Sequence, residues 1–198
     1  KPLTKQNSLT RPTTGVGTIV FDLESNGLLN NASRIHCMAL HHCDTDTIET
    51  FNDEKISNDP KYLPMGNRSI TTAITSLEVA DTVVGHNIIN FDLPLIKKLY
   101  PFFTYPPVIV DTLLLSRLYH PNLLDIDKKH EWSDMPTKLY GSHSLKAYGY
   151  RLGLHKGTFG EDTDWKEWSQ EMQDYCVLDV KVTEKLCDHF RPYLLGSH

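Results

Sequence analysis

Residues 18–24, Thr18-Ile19-Val20-Phe21-Asp22-Leu23-Glu24, decide the fold. Four β-branched or aromatic residues lead into two acids, the composition of a buried strand that ends at a polar site. Side chains alternate along a strand, so Asp22 and Glu24 leave the same face, about 6.6 Å apart along the backbone at two strand steps. Two like charges that close repel unless a proton or a cation lies between them. The spacing therefore points to a cation-binding strand end.

The strands and helices that follow alternate in a pattern that places this strand inside an α/β sheet. After the turn SNGLLNNAS, residues 34–42 read as a second strand, and TIETF (47–51) as a third, giving an antiparallel meander over 18–51. A Pro/Asn/Gly-rich loop (57–67) precedes a helix expected over 68–80. TVVGHN then reads as a strand ending in a tight turn, with a helix starting near Asp92. VIVD (108–111) is the next strand and runs into a helix whose apolar face is expected to be Leu113, Leu114 and Leu118. Residues 120–141 read as loop, 142–152 as a helix stopped at Gly153, and about 165–190 as the last helix. Strand and helix alternate from residue 80 on, which implies parallel pairing. The expected class is α/β: a mixed sheet with helices on both faces, and a site beyond the carboxyl ends of its strands.

The 198 residues suffice for one large domain, with residues 1–17 read as a linker or tail and 196–198 as a tag remnant. The composition, 39% apolar and 23% charged, is that of an ordinary globular protein, with no apolar run near the roughly 20 residues of a membrane span. Four cysteines without a CxxC pair point to reduced thiols and a cytosol-like compartment. A net charge of −5 argues against a passive nucleic-acid binder. The charge is uneven, however: from Arg117 to Lys156 seven Lys/Arg face four Asp/Glu, making this the segment best suited to phosphate contacts.

Three further signals join the strand acids. In the last helix Met172, Tyr175, Asp179, Val182 and Leu186 share one face, and a carboxylate on such a stripe needs a base or a metal. Gly85-His86-Asn87 through Phe91-Asp92 supplies a turn and a fourth acid; taken alone, Asp92 before Leu93-Pro94 reads as a helix N-cap. His36, Cys37, His41, His42 and Cys43 carry zinc-ligand atoms, but strand alternation splits them between faces and no closed four-ligand spacing is present.

Taken in order, Asp-x-Glu, Asn-x-x-x-Phe-Asp and Tyr-x-x-x-Asp resemble the motifs of the DEDD exonuclease superfamily. Asp174 stands where the His subgroup has its base, which favours the Tyr subgroup. DTLLLSRLYHPNL (111–123), GSHSLKAYGYRLG (141–153) with Lys156-Gly157, and MQDYCVLDV resemble the proofreading domain of family A DNA polymerases of T-seven-type podophages, over roughly 18–190. Residues 1–17 are expected to have no counterpart there, and the 198 residues are not expected to include a polymerase domain, so an excised domain and a free-standing nuclease are both open.

The resemblance implies a ribonuclease H-like fold and 3′→5′ hydrolysis of single-stranded DNA ends to nucleoside monophosphates by two divalent ions, Mg²⁺ or Mn²⁺. Asp22 would bridge both ions, Glu24 and Asp179 would hold one, Asp92 would support the other, and Tyr175 would orient the attacking water. Leu28 aligns with an apolar wedge between the terminal bases, and Asn87, Phe91, His143 and Lys146 are expected to meet substrate. The partners implied are DNA 3′ ends and a polymerase or replication complex in the cytoplasm of a bacterium or phage-infected host, with no membrane. The alternatives are an RNA 3′-end exonuclease of the same superfamily and a non-catalytic docking module.

Overall fold

The computed structural model describes residues 16–54, 69–154 and 164–194. Most of the expected tail, the whole 57–67 loop, Lys156-Gly157, and the 196–198 remnant lie outside these residues. Within them, five strands form one sheet in the order β3-β2-β1-β4-β5. β1 (Val16–Ser25) lies at its centre, antiparallel to β2 (Ile35–His42) and parallel to β4 (Ala80–Gly85). β3 (Thr47–Asn52) closes the meander on one edge, and β5 (Val108–Asp111) pairs in parallel with β4 on the other. The mixed sheet expected from the strand spacing is therefore present, in register from Val16↔Ala80 to Gly85↔Asp111.

Alternation along β1 sends its side chains to two cores. Ile19, Phe21 and Leu23 join Met38 and Leu40 of β2 under α1 (Ile70–Val79) and α2 (Asp92–Leu99). Val20 and, from β2, Cys37 and Ala39 pack instead against Met172, Cys176 and Val180 of the 25-residue α6 (Gln170–Leu194). With helices packed on both faces, β2 is buried over nearly its whole length, and the edge strands β3 and β5 run from exposed starts at Thr47 and Val108 to buried ends. The β1–β2 ladder shifts register between Glu24 and Ser25, the kind of irregularity that re-aims side chains at a strand end.

Three expectations are corrected. Residues 120–141 are not a loop: α4 (Leu123–His130) and a 3₁₀ turn (Thr137–Leu139) lie within them. α4 buries little apolar surface of its own and is held instead by a buried ion pair, described below. α3 (Thr112–Tyr119) buries Thr112, Leu113 and Ser116, while Leu114 and Leu118 face solvent. The inward side of α3 makes polar contacts, with Ser116 Oγ bonded to His143 Nδ1 and to the Tyr148 hydroxyl. Finally, α5 (Leu145–Arg151) begins three residues later than expected, because the Ser144 side chain caps it by accepting from the Ala147 N–H.

Candidate active site

Asp22, Glu24 and Asp179 meet at the carboxyl end of β1, each offering a carboxylate oxygen within 4.8 Å of the others. β1 delivers the first two from one face, and the buried stripe of α6 delivers the third across the second core. α6 is seated by a buried amide: Gln173 donates to the Met38 carbonyl (3.1 Å) and accepts from Asn52 Nδ2 (3.2 Å), tying the helix to β2 and β3. The Cys176 thiol, one turn before Val180, donates to the Asp22 carbonyl at 3.3 Å.

Asp92 comes from the other side, where the chain leaves β4. Gly85 is required there, since a Cβ would lie 2.2 Å from Ile88 Cγ2 and 3.2 Å from the Phe21 carbonyl. The close approach at Gly85 is thus made by the protein's own chain. The left-handed residue of the turn is Asn87, at φ 64°. Asp111, at the end of β5, holds this turn: it accepts from the N–H groups of Asn87 (2.9 Å), Ile89 (3.1 Å) and Leu113 (2.9 Å).

The N-cap position of α2 is occupied by Phe91 and not by Asp92. Asp92 is the first helical residue, almost wholly buried at 4% exposure, and its carboxylate reaches across to the Leu23 backbone as well as to its own.

Burial dominates the electrostatics. Desolvation first, and then the charges of Glu24, Asp179 and Asp92, push the Asp22 carboxyl well above its ordinary range. Desolvation with Asp179, Cys37 and Asp92 does the same to Glu24. Asp92 and Asp179 are raised to about 7, again chiefly by burial. A Tyr175 hydroxyl bond to the Asp179 carboxylate partly offsets the rise at Asp179. Tyr175 itself is raised by burial and by the surrounding acids, so its phenol stays protonated. An all-oxygen set of crowded, desolvated carboxylates fits a hard divalent cation, which would relieve both the repulsion and the lost solvation.

Beside the acids lies a cleft of about 350 Å³ lined by Glu24, Ser25, Gly27, Leu28, Phe91 and Trp165. Leu28 is 76% exposed at its rim. Trp165 is the residue here that sequence reasoning missed. Its edge-on contact with Tyr175 and the hydrogen bond between its carbonyl and His36 Nε2 (3.0 Å) become visible only in the folded chain.

His143 belongs to a separate polar network. Burial, Arg117 and Arg151 lower its pKa, and its ring nitrogen is bonded to Ser116. Lys146 follows on α5, half-buried.

The zinc-type residues of β2 do not converge on one another. His36 meets Trp165, His42 meets Glu49 (3.2 Å), and Cys43 is an exposed free thiol. His41 lies between Asp46 (3.0 Å) and Glu184 (3.4 Å), an imidazole flanked by a carboxylate on either side.

No protein-family model matches the chain. It is 34% identical over 194 residues to the DNA-directed DNA polymerase of Escherichia phage T7, and 31% over 193 residues to that of Enterobacteria phage T3. Each alignment covers 86% of this chain and 26% of the polymerase, so the chain spans about a quarter of the length of these relatives. Among solved structures, Brucella melitensis NrnC with bound Mg²⁺ shares the fold at a TM-score of 0.54 and 18% identity, over 91% of this chain and 75% of that one. The chain is thus similar over 86% of its own length to about a quarter of these phage DNA polymerases, its ordered acid motifs resemble those of the DEDD 3′-5′ exonucleases, and it shares the ribonuclease H-like fold of NrnC.

Proposed function

We propose that this domain, residues 18–195, is a metal-dependent 3′→5′ exonuclease of the proofreading type that hydrolyses single-stranded DNA ends to nucleoside monophosphates. The observation that carries the reading is the convergence of Asp22, Glu24 and Asp179 within 4.8 Å, with the Tyr175 hydroxyl bonded to one of them. Asp22, Glu24, Asp92 and Asp179 would hold two divalent ions, Mg²⁺ or Mn²⁺. The chemistry such ions supply is neutralisation of charge on the phosphodiester and acidification of an attacking water.

The chain's own residues do the rest. Tyr175, protonated and anchored to Asp179, orients the attacking water without taking its proton. Leu28 and Phe91 receive the terminal base in the cleft beside Glu24, and Asn87 shapes the turn that presents Phe91 and Asp92. His143, Lys146 and the basic 117–156 segment serve the phosphates of the approaching strand. The polymerases that the chain matches favour DNA as substrate and a polymerase as partner.

A time course with matched single-stranded DNA and RNA oligonucleotides tests this directly. Mononucleotides should accumulate from the 3′ end of DNA in Mg²⁺ or Mn²⁺ and not in chelator, and Asp22→Ala or Asp179→Ala should abolish release. Equal digestion by either variant would overturn the assignment. Digestion of RNA alone would reassign the substrate.

A further inference from the structure

The loop between β1 and β2 is held by its own hydrogen bonds around one projecting apolar side chain. Asn31 and Ala32 donate from their backbones to the Leu28 carbonyl (2.9 and 2.7 Å), and the Asn26 side chain accepts from Ser33 and Arg34 N–H (both 3.0 Å). Ala32 is buried in the core and Leu29 packs against it. Of the loop's apolar side chains, Leu28 alone points into solvent.

Onto this closed loop α2 adds a second constraint. Lys98 Nζ donates to the carbonyls of Leu29 (2.9 Å), Asn30 (3.1 Å) and Ala32 (2.8 Å), using all three ammonium protons. The loop's own bonds already close it, so the cage is not needed for closure. What it adds is a rigid link to the helix that begins with Asp92 and is entered through Phe91. One eight-residue helix thereby joins an acid, one wall of the cleft and the ledge bearing Leu28.

We propose that Lys98 is a positioning residue that fixes Leu28 relative to Phe91 and Asp92, and so sets how tightly an unpaired strand end is held. The inference rests on the exonuclease reading and assigns to that site a specificity element remote from its chemistry. Lys98 touches no reacting atom; it acts through Leu28.

The test uses the whole chain and two readouts: the Kd of a labelled single-stranded DNA oligonucleotide in Ca²⁺, by anisotropy, and KM and kcat for mononucleotide release in Mg²⁺. Lys98→Met should raise Kd and KM about five- to tenfold with kcat within about twofold. Lys98→Gln, which keeps two donors, should fall between it and the wild type. Leu28→Ala should reproduce the defect, and adding Lys98→Met to it should change KM by less than about twofold, because the two substitutions remove one interaction.

Unchanged Kd and KM in both Lys98 variants, multiplication of the two defects in the double variant, or a fall in kcat at constant KM would each overturn the proposal. Absence of both binding and release in the wild type would instead overturn the exonuclease reading on which it stands.

Discussion

Asp179 and Tyr175 lie one helical turn apart on α6, and the Tyr175 hydroxyl is bonded to the Asp179 carboxylate. If Tyr175 orients water without exchanging a proton, Tyr175→Phe should lower kcat about 10- to 100-fold and leave KM within about twofold, as steady-state kinetics on an oligonucleotide would show. Asp179→Asn removes one charge from a crowded cluster. Expected are loss of at least about 10³-fold in metal-dependent release and a metal-free protein more stable by on the order of 1 kcal/mol, or a few degrees in melting temperature. A thermal scan in chelator checks the second half. These two residues and the strand acids were legible in the sequence because each is a charge or a hydroxyl where the local pattern demands an apolar residue. Trp165, Gln173 and Cys176 were not legible, since an aromatic, an amide and a thiol on such faces read as ordinary core until their partners across the sheet are known.

Among the elements, the β4–α2 turn and α4 show where local signals stop. Gly85 invites the expectation of a permissive backbone, yet it is Asn87 that adopts the left-handed conformation, and the distant Asp111 that stabilises it. Replacing Asp111 with Ala would leave one buried and two partly buried N–H groups without their acceptor, and urea unfolding should register about 1–3 kcal/mol of lost stability. α4 was invisible for a related reason. It is anchored by Asp127, fully buried, which accepts from Arg151 Nε and Nη2 (2.9 and 2.7 Å), Trp132 Nε1 (3.0 Å) and Gly141 N (2.7 Å). A polar helix held by a charge pair from α5 carries no hydrophobic period to read. Asp127→Ala would strand the Arg151 guanidinium in the interior, and a loss of about 3–5 kcal/mol on the same denaturation curve is expected.

For the molecule as a whole, the antiparallel meander, the parallel half of the sheet and a site at the strands' carboxyl ends were legible in the alternation of strand and helix, whereas the order β3-β2-β1-β4-β5 was not, because nothing local says which strand β4 joins. The fold then forces the acids together at a thermodynamic cost, and that cost has a sign. Asp92 and Asp179 titrate near 7 in the folded chain against about 4 when unfolded, so between those values the folded state holds more protons. The stability they lend is complete below about pH 4 and is lost as pH rises through about 7. The metal-free melting temperature should therefore fall between about pH 5.5 and pH 8, and added Mg²⁺ should raise it more at the higher pH, as differential scanning would reveal. The convergence of carboxylates on divalent cations is tested most directly by calorimetric titration of Mn²⁺ into chelator-treated protein at pH 8. Saturable binding that disappears in both Asp22→Asn and Asp179→Asn is the expected result; binding of unaltered affinity and stoichiometry in those variants would contradict it.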